Sequence, residues 1–358
     1  MAVHDADPAI EVVGVAPRRS TIDEALERGI VDRGVEAADS QLDAMLAQNA
    51  VDLVILCMPP AYAEGYLQRI ADSGYDGIVT DTVSTKTQIC QSAERVLRDP
   101  SRFVPGHPMA GREVNGLAGA TRGMFAGKYW ILCPDQGTDY ESFLALHSLV
   151  VAMGARCITI PREHHDEMVA LVSHVPHMVA SSLVELASRH CEGTDELFRI
   201  VAGGFRDSTR IAAGSPELWV DIAMSNREQI ASGLHEMGQI VGSIEQMVAH
   251  GDSEALLEFL KRTSATRQRI PAAWSASSER LLALRISVRN YPGAIAEATA
   301  IAGRMGCNIQ SIEIEHISDK SAILELVLTD EGDRQGLLDA LGEGGFKVVS
   351  DGYMEVQP

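Results

Sequence analysis

Histidine is the residue type in this sequence whose placement most suggests chemistry. His107 lies in GHPMAGRE (106–113), directly after a predicted strand, where an open α/β sheet presents its ligand-binding loops. A neutral imidazole accepts a proton near pH 7, so His107 could act as a general base. The alternative is a buried structural histidine. We favour the functional role because Gly-His-Pro fixes the backbone at that point.

A second histidine-rich segment, EHHDEMVALVSHVPHMVA (163–180), invites a metal-binding interpretation. If it forms one α-helix, His165 and His174 lie on opposite faces, about 13 Å apart. Only His174 and His177 could then meet one ion, and zinc would need further ligands. We therefore predict no metal site.

The same helical geometry separates the two halves of this segment. Ser173 and His177 are four residues apart, so they share a face and could line a binding site. His164 and His165 stand near the predicted helix start, and we interpret them as solvated residues of the first turn.

Two further motifs carry polar groups suited to a small anionic ligand. Ser84 stands in TDTVSTK (80–86) after a predicted strand, although it could simply cap the following helix. In GGFRDSTRIAAGSPELW (203–219), Arg206 and Arg210 are one helical turn apart beside glycines. One arginine could be paired structurally with a carboxylate, but two together favour an anion site.

Composition narrows the class of protein. The 358 residues are 46% hydrophobic and 22% charged, which is typical of a globular chain of two or three domains. A net charge of -20 argues against nucleic acid and anionic membranes as partners. The sequence offers neither a secretory signal nor an apolar run near the roughly 18 residues that span a bilayer. Six scattered cysteines without CxxC predict reduced thiols and a cytoplasmic location.

The first part of the chain, predicted as a domain over 1–160, alternates apolar runs with helical stretches. This rhythm predicts βαβ units on a mostly parallel sheet, with ligands beyond the carboxyl ends of the strands. The predicted strands are AIEVVGV (9–15), VDLVILCMP (51–59), GIVTDT (77–82), FVPGHP (103–108) and YWILCP (129–134).

A dinucleotide-binding sheet should begin with a strand and a GxGxxG turn, and this sequence contains no GxGxxG. Either the chain binds no dinucleotide, or AIEVVGV is the second strand of such a sheet. We favour the second interpretation, which implies a chain shortened at its start or a misassigned start codon. Arg18 and Arg19 then follow the second strand, where arginine favours NADP, unless both are solvated loop residues.

The remaining chain predicts two more domains. Residues 161–275 show helical spacing of apolar residues, and long apolar helices often complete their burial against a second subunit. This predicts a homodimer through the helical domain. Residues 280–358 predict a βαββαβ unit after a linker at 275–279.

Taken in order, VDLVILCMPP, TDTVSTK, GHPMAGRE, SHVPH and GGFRDSTRIAAGSPELW resemble the prephenate dehydrogenase family of tyrosine biosynthesis. NYPGAIAEATAIAGRMGCNI, near the end, is similar to the strand–turn–helix signature of an ACT domain. The resemblance implies a Rossmann-like dinucleotide-binding domain without its first strand, a helical dimerisation and substrate domain, and an ACT domain that binds an amino-acid effector such as tyrosine.

The resemblance also implies a reaction. Prephenate would lose a hydride from ring C4 to NAD or NADP, a hydroxyl proton to a base, and its ring carboxylate as CO2, giving 4-hydroxyphenylpyruvate. His107 would be the base or hydrogen-bond acceptor, and Ser84 would orient it. Trp219 would close the pocket, and a contribution across a dimer interface stays open.

The other implied site residues fall into three groups. They are Ser173, His177, Arg210 and, less strongly, Arg112 for the substrate; Arg18, Pro59 and Thr82 for the cofactor; and Asn290, Gly293 and Asn308 for the effector. Three alternatives stay open: a dehydrogenase for arogenate or amino-deoxyprephenate, a non-catalytic amino-acid sensor, and a metalloenzyme built on the histidines.

Overall fold

The computed structural model describes residues 1–111, 116–191, 199–269, 281–318, 320–329 and 332–354. Arg112 and the predicted linker at 275–279 lie outside these residues. The chain forms two compact units, one covering Met1–Arg227 and the other most of the remainder. The fold class is α/β, as the alternating apolar runs predict.

The first unit begins with alternating strands and helices. Short strands of β-branched and leucine residues alternate with amphipathic helices, which is why each strand is covered by a helix face. In chain order these are α1 (Ala2–Ala6), β1 (Val13–Ala16), α2 (Arg19–Glu27), β2 (Arg33–Glu36), α3 (Ser40–Ala47), β3 (Leu53–Leu56), α4 (Pro60–Ser73), β4 (Ile78–Asp81), α5 (Thr87–Val96), β5 (Phe103–Val104), β6 (Gly106–Pro108), β7 (Tyr129–Leu132), α6 (Tyr140–Ala152) and β8 (Arg156–Thr159).

The strands pair in three groups. β1 pairs with β2, and β3, β4 and β5 form a second group, all in parallel. Within the described residues, no hydrogen-bonded strand joins these two groups. The first strand of a doubly wound sheet would lie between them.

The predicted strand FVPGHP is two strands. β5 runs parallel to β4, whereas β6 pairs antiparallel with β7, which in turn pairs in parallel with β8. Pro105, between the two strands, carries no N–H for a ladder. His107 therefore lies on β6, within the predicted strand but paired antiparallel, and its position is fixed by pairing with Ile131.

The core of this unit packs α3, α4 and α5 against the sheet. In α4, Ala63, Leu67 and Ile70 recur at helical spacing and are buried, and Gly74 ends the helix with a φ of 79°. The sheet contributes Leu56, Val79 and other apolar side chains to the same cluster. This core fixes the carboxyl ends of β3 and β4, where a ligand would lie.

A long helical run follows β8. It consists of α7 (Arg162–Val169), a π-helical segment (Ala170–His174) and α8 (Val175–Arg189). By length and composition this run could cross a membrane, and a third of its apolar stretch is buried within the chain. The first half of the run carries buried residues that are hydrogen-bonded to β6 and to the start of α5, whereas apolar side chains such as Val172 and Leu186 are exposed.

The π segment contradicts the single α-helix assumed from the sequence. Pro176 has no N–H, and its ring clashes with the carbonyl of the residue four positions earlier, Val172. A π segment that ends just before the proline accommodates this clash. The angular positions deduced for an uninterrupted α-helix therefore do not apply across 170–174. The first unit ends with α9 (Gly203–Thr209), a 3₁₀ turn (Arg210–Ala213) and α10 (Pro216–Ser225).

The second unit contains α11 (Arg227–Ala249) and α12 (Ser253–Arg269), then a four-stranded sheet with two helices. The sheet has the strand order β10-β11-β9-β12, which a βαββαβ chain produces. Its core is formed by apolar side chains from both layers, such as Leu284 and Leu337. The elements are β9 (Leu281–Arg289), α13 (Ala294–Arg304), β10 (Ile309–Ser318), β11 (Ser321–Thr329), α14 (Arg334–Glu343) and β12 (Lys347–Met354).

Candidate active site

His107 is held by a buried ion pair beneath β6. The Lys86 ammonium donates to the Asp81 carboxylate and to the Gly106 carbonyl, and both charged side chains are fully buried. The Gly106 N–H donates to the other Asp81 oxygen at 3.3 Å. A Cβ at Gly106 would come within 2.7 Å of the Asp81 backbone oxygen, so only glycine permits this close approach. The strand that carries His107 is therefore fixed to the end of β4.

His107 also belongs to a chain of hydrogen bonds. Its Nδ1 lies 2.9 Å from His165 Nε2, and His165 Nδ1 lies 2.8 Å from Asp166 Oδ1. All three side chains are buried. The sequence interpretation of His165 as a solvated first-turn residue is therefore wrong: α7 turns His165 inward against β6. Its neighbour His164 is exposed, as expected.

Asp166 joins this chain to the start of α5. Its two carboxylate oxygens accept the backbone N–H groups of Lys86 and Thr87, at 2.7 and 2.8 Å. Burial alone would raise the pKa of Asp166, but hydrogen bonds from His165, Thr87 and Lys86 lower the pKa to about 2. Asp166 is thus an ionised cap for α5. Ser84, the alternative cap from the sequence, does not fill that role.

Burial favours the neutral form of three histidines, His107, His174 and His177. Burial, followed by the nearby charge of Lys86, lowers the pKa of His107 well below its ordinary value. Burial also lowers the pKa of His174 to about 4 and, by a smaller amount, the pKa of His177. Near pH 7 these imidazoles can accept protons or hydrogen bonds.

A second cluster contains His174, His177 and Trp219. The Trp219 ring stacks on His177 with centroids 3.5 Å apart and an interplanar angle of 13°, and it meets His174 edge-on. Buried Asn226 donates to the Asp166 backbone oxygen at 2.8 Å and lies 3.2 Å from His174 Nδ1. This places Trp219 against His177 of the same chain and links the cluster to Asp166.

The other predicted substrate residues are less closely connected. Ser173 is half-buried in the π segment, Ser84 is half-buried after β4, and Arg210 is exposed at the start of a 3₁₀ turn. The structure gives His107 a hydrogen bond to His165, and Ser84 has none to His107 among the described contacts. The assignments of Ser84, Ser173 and Arg210 stay predictions.

The predicted cofactor residues lie at the carboxyl ends of strands. Arg18 follows β1 and is exposed, Pro59 precedes α4, and Thr82 follows β4. The Thr82 N–H donates to the Leu56 carbonyl at 3.0 Å, so the ends of β3 and β4 are level. Their positions suit a dinucleotide lying across the sheet edge, although the sequence lacks the glycine turn for its pyrophosphate.

The predicted effector residues lie at turns of the second unit. Gly293, with a φ of 99°, directly precedes α13, and the Asn290 N–H donates to the Lys320 carbonyl at 2.8 Å. The Asn308 carbonyl accepts the Thr329 N–H at 3.0 Å. No group of three His, Cys, Asp or Glu side chains within the described ranges could hold a metal ion.

Sequence reasoning missed Lys86, His165 and Asp166, which support His107, and Asn226, which lies beside His174. For Lys86 a signal was available, because Asp81 and Lys86 share the motif TDTVSTK and a buried strand end leaves an aspartate in need of a partner. For His165 and Asp166 the sequence gave no such signal, since a polar pair near a helix start is usually solvated. Their burial depends on how α7 docks on the sheet.

The fold and this site define a class of protein: an α/β protein built on a Rossmann-like sheet, with a buried histidine fixed next to the carboxyl end of β4. Two family models match the chain, "Prephenate dehydrogenase, nucleotide-binding domain" over residues 2–159 and "Prephenate dehydrogenase, dimerization domain" over residues 161–262. The chain belongs to the prephenate dehydrogenase family.

Individual relatives agree with the family models. The chain is 31% identical over 339 residues to a prephenate dehydrogenase of Bacillus subtilis, covering 94% of this chain and 90% of that protein. It is similar to the structure of the Aquifex aeolicus prephenate dehydrogenase in complex with hydroxyphenyl propionate and NAD+, with a TM-score of 0.68 and 26% sequence identity. The match covers 75% of this chain and 92% of that one. The structure of an arogenate dehydrogenase of Synechocystis matches with a TM-score of 0.63 and 25% sequence identity, covering 75% of this chain and 95% of that one.

Proposed function

We propose that this chain is a prephenate dehydrogenase that uses NAD or NADP to convert prephenate to 4-hydroxyphenylpyruvate. The observation that carries the proposal is His107, which is buried, neutral near pH 7 and fixed at the sheet edge by β6. The reaction needs a group that accepts the proton of the C4 hydroxyl, and a neutral imidazole is suited to that step. The bound nicotinamide supplies the hydride acceptor.

The substrate carries two carboxylates, which need cationic or hydrogen-bonding partners. We assign these to Arg210, Ser173 and His177, with Trp219 as the wall that stacks on His177. Ser84 orients the substrate hydroxyl from the end of β4. Arg112, which follows the His107 strand in sequence, is a further candidate for the substrate side chain.

The cofactor would lie across the carboxyl ends of β1, β3 and β4. Arg18 would meet the adenine ribose or its phosphate, and Pro59 and Thr82 would line the edge nearer to His107. These residues fit the two ends of a dinucleotide. The chain offers no GxGxxG for the pyrophosphate, so its affinity for NAD(P) tests the cofactor assignment directly.

We infer a homodimer through the helical domain. Long helices of this domain leave large apolar side chains exposed, and exposed apolar side chains in such number are typical of an interface between subunits. Examples on α11 and α12 are Ile240, Val241, Val248, Leu257 and Leu260.

We also propose that the βαββαβ unit is an ACT domain that binds an amino acid, and tyrosine is the ligand to test first. Asn290, Gly293 and Asn308 lie at turns beside α13 and β10, and Gly293 has a φ of 99°. All six cysteines are free, which fits a reducing compartment, and we place the protein in the cytoplasm.

The experiment is a dehydrogenase assay on the purified chain. Reduction of NAD+ and of NADP+ is followed with prephenate, arogenate and amino-deoxyprephenate in turn. We expect the highest kcat/KM with prephenate. A clear preference for arogenate, as the name of the Synechocystis relative would suggest, transfers the assignment to that substrate.

Thermal shifts separate the enzyme from a non-catalytic sensor. A ligand that binds the folded state raises Tm in proportion to the logarithm of its concentration over Kd. Stabilisation by both NAD(P) and tyrosine supports a regulated dehydrogenase. Stabilisation by tyrosine alone, with no turnover of any substrate, identifies a sensor and contradicts the proposal.

A further inference from the structure

We propose that His165 and Asp166 are positioning residues that hold His107 in one tautomer, with the proton on Nδ1 and the lone pair on Nε2. The proposal rests on the proposed function for its catalytic meaning, but the tautomer itself is a property of the resting protein. It assigns roles to two residues that neither face the substrate nor belong to the predicted site.

The direction of each hydrogen bond follows from the carboxylate end. Ionised Asp166 can only accept, so His165 Nδ1 must donate across the 2.8 Å contact. In neutral His165 the other nitrogen, Nε2, then carries a lone pair. That lone pair can only accept from His107 Nδ1–H across 2.9 Å. His107 is left with an unprotonated Nε2 on the opposite edge of its ring.

The alternative is a protonated His165 that donates from both nitrogens. It would place a second buried cation close to the fully buried Lys86, whose charge Asp81 already compensates. Burying an additional charge is costly unless it gains a dedicated partner. Asp166 already accepts two backbone N–H groups from the start of α5, so it serves several donors.

The proposed tautomer suits the proton step. The substrate O–H bond breaks as an N–H bond forms at Nε2, while the C4 hydride passes to the nicotinamide. Nδ1–H keeps donating to His165, so no hydrogen bond has to reverse. When the ring carboxylate leaves as CO2, the electron pair of the broken C–C bond makes the ring aromatic. The proton on Nε2 then returns to the resulting phenolate oxygen.

Asp166 has a second consequence for the site. The same carboxylate that orients His165 also binds the N–H groups of Lys86 and Thr87, directly after the loop that carries Ser84. The Asp166 carboxylate thus fixes the positions of both His107 and the loop that carries Ser84. A change at Asp166 should therefore disturb activity more than the same change at an ordinary helix cap.

The first test is imidazole ¹⁵N NMR on the full chain without substrate. We expect His107 to show a protonated Nδ1 and a bare Nε2 at pH 7.5. The signals are assigned by their loss in His107→Asn. A bare Nδ1 with a protonated Nε2 would overturn the proposal, whether or not the protein turns over prephenate. Failure of the dehydrogenase assay with the expected tautomer present would sink only the proposed function.

The second test uses paired variants at neighbouring histidines. His165→Leu removes the acceptor, and we expect kcat to fall about 10²- to 10³-fold with KM changed less than about threefold. His165→Gln can present an amide oxygen to Nδ1–H and should restore at least tenfold of that loss. His164→Leu and His164→Gln are the matched controls, since His164 is exposed, and both should keep wild-type kcat.

The pH profile separates positioning from simple loss of packing. Without His165 the two tautomers of His107 mix, so the pH at which the acidic limb of kcat is half-maximal should shift, and His165→Gln should return it. If His165→Leu does not fold, the kcat of His165→Gln and the tautomer measured by NMR test the proposal instead. Equal kcat and an unmoved pH limb in a folded His165→Leu would contradict the proposal.

Discussion

At the scale of single residues, the site is a set of buried polar groups that satisfy one another. Lys86 balances Asp81, Asp166 orders His165, and His165 orders His107. Each group would be costly to bury alone, and together they leave one imidazole nitrogen available for substrate. The position of His107 therefore depends on a chain of buried side chains that begins at Asp166.

The ion pair of Lys86 and Asp81 predicts that removing one charge destabilises the protein more than removing both. Lys86→Met leaves the Asp81 carboxylate buried without its cation, and we expect a loss of about 3–5 kcal/mol in the free energy of unfolding. The double variant Lys86→Met, Asp81→Asn should recover most of that loss. Chemical denaturation measures both, and a single variant as stable as wild type would refute the argument.

The buried histidines also predict a pH dependence of stability. The pKa of His174 is lowered in the folded protein to about 4, so between pH 4 and 6.5 the unfolded chain binds the proton that the folded chain excludes. Stability is therefore fully present above pH 6.5 and falls as pH drops toward 4, by roughly 3 kcal/mol for this group.

Comparison with His174→Gln isolates that contribution. Denaturation curves at pH 7.5 and pH 5 should show a smaller loss of stability on acidification in the variant than in wild type. His235, an exposed histidine on α11, provides the control substitution His235→Gln. Identical losses in wild type and His174→Gln would show that another group governs the acid limb.

At the scale of elements, glycines and prolines decide where the site residues lie. Gly214 is an example, because a Cβ there would approach Trp219 Nε1 to 2.7 Å. The glycine thus leaves the space in which Trp219 stacks on His177.

Gly214→Ala should displace Trp219 and raise KM for prephenate about tenfold or more, with a smaller effect on kcat. A shift of about 1.4 kcal/mol in binding corresponds to tenfold. Gly65→Ala is the control: it lies on the exposed side of α4 with open space around it, and alanine should stabilise the helix by up to about 1 kcal/mol. An unchanged KM in Gly214→Ala would show that Trp219 does not contribute to binding of prephenate.

The elements also show what could be predicted from the sequence. The βαβ rhythm, the helical stretches and the βαββαβ unit each follow from local periodicity and turn residues, and the structure confirms them. The π segment could not be predicted from periodicity, because five residues are too few to change the spacing of apolar residues detectably. It results from Pro176, whose effect on the preceding turn depends on the surrounding packing.

The candidate site was predictable only in part for a related reason. His107, His177 and Trp219 stand in short motifs with glycine or proline beside them, and these signals are local. His165 and Asp166 acquire their roles when α7 packs on β6, about sixty residues away in sequence from His107, and no local pattern records that contact. Helical geometry alone misplaced His165 at the surface.

At the scale of the whole molecule, the helical domain leaves apolar side chains that a second subunit would cover. We expect Val241→Arg on α11 to weaken the dimer, since it places a charge in an apolar interface. Gln239→Arg adds the same charge at an exposed position about 160° around that helix and serves as the control. Sedimentation velocity over a concentration series measures both, and a dimer unaffected by Val241→Arg would place the interface elsewhere.

The proposed prephenate dehydrogenase activity depends on His107 as the proton acceptor. The most direct measurement is kcat for prephenate, with the Kd for NAD(P) measured separately, in wild type and His107→Asn. We predict a kcat lowered about 10²- to 10⁴-fold, with cofactor affinity unchanged. A His107→Asn protein that keeps the wild-type kcat would show that His107 does not take the proton.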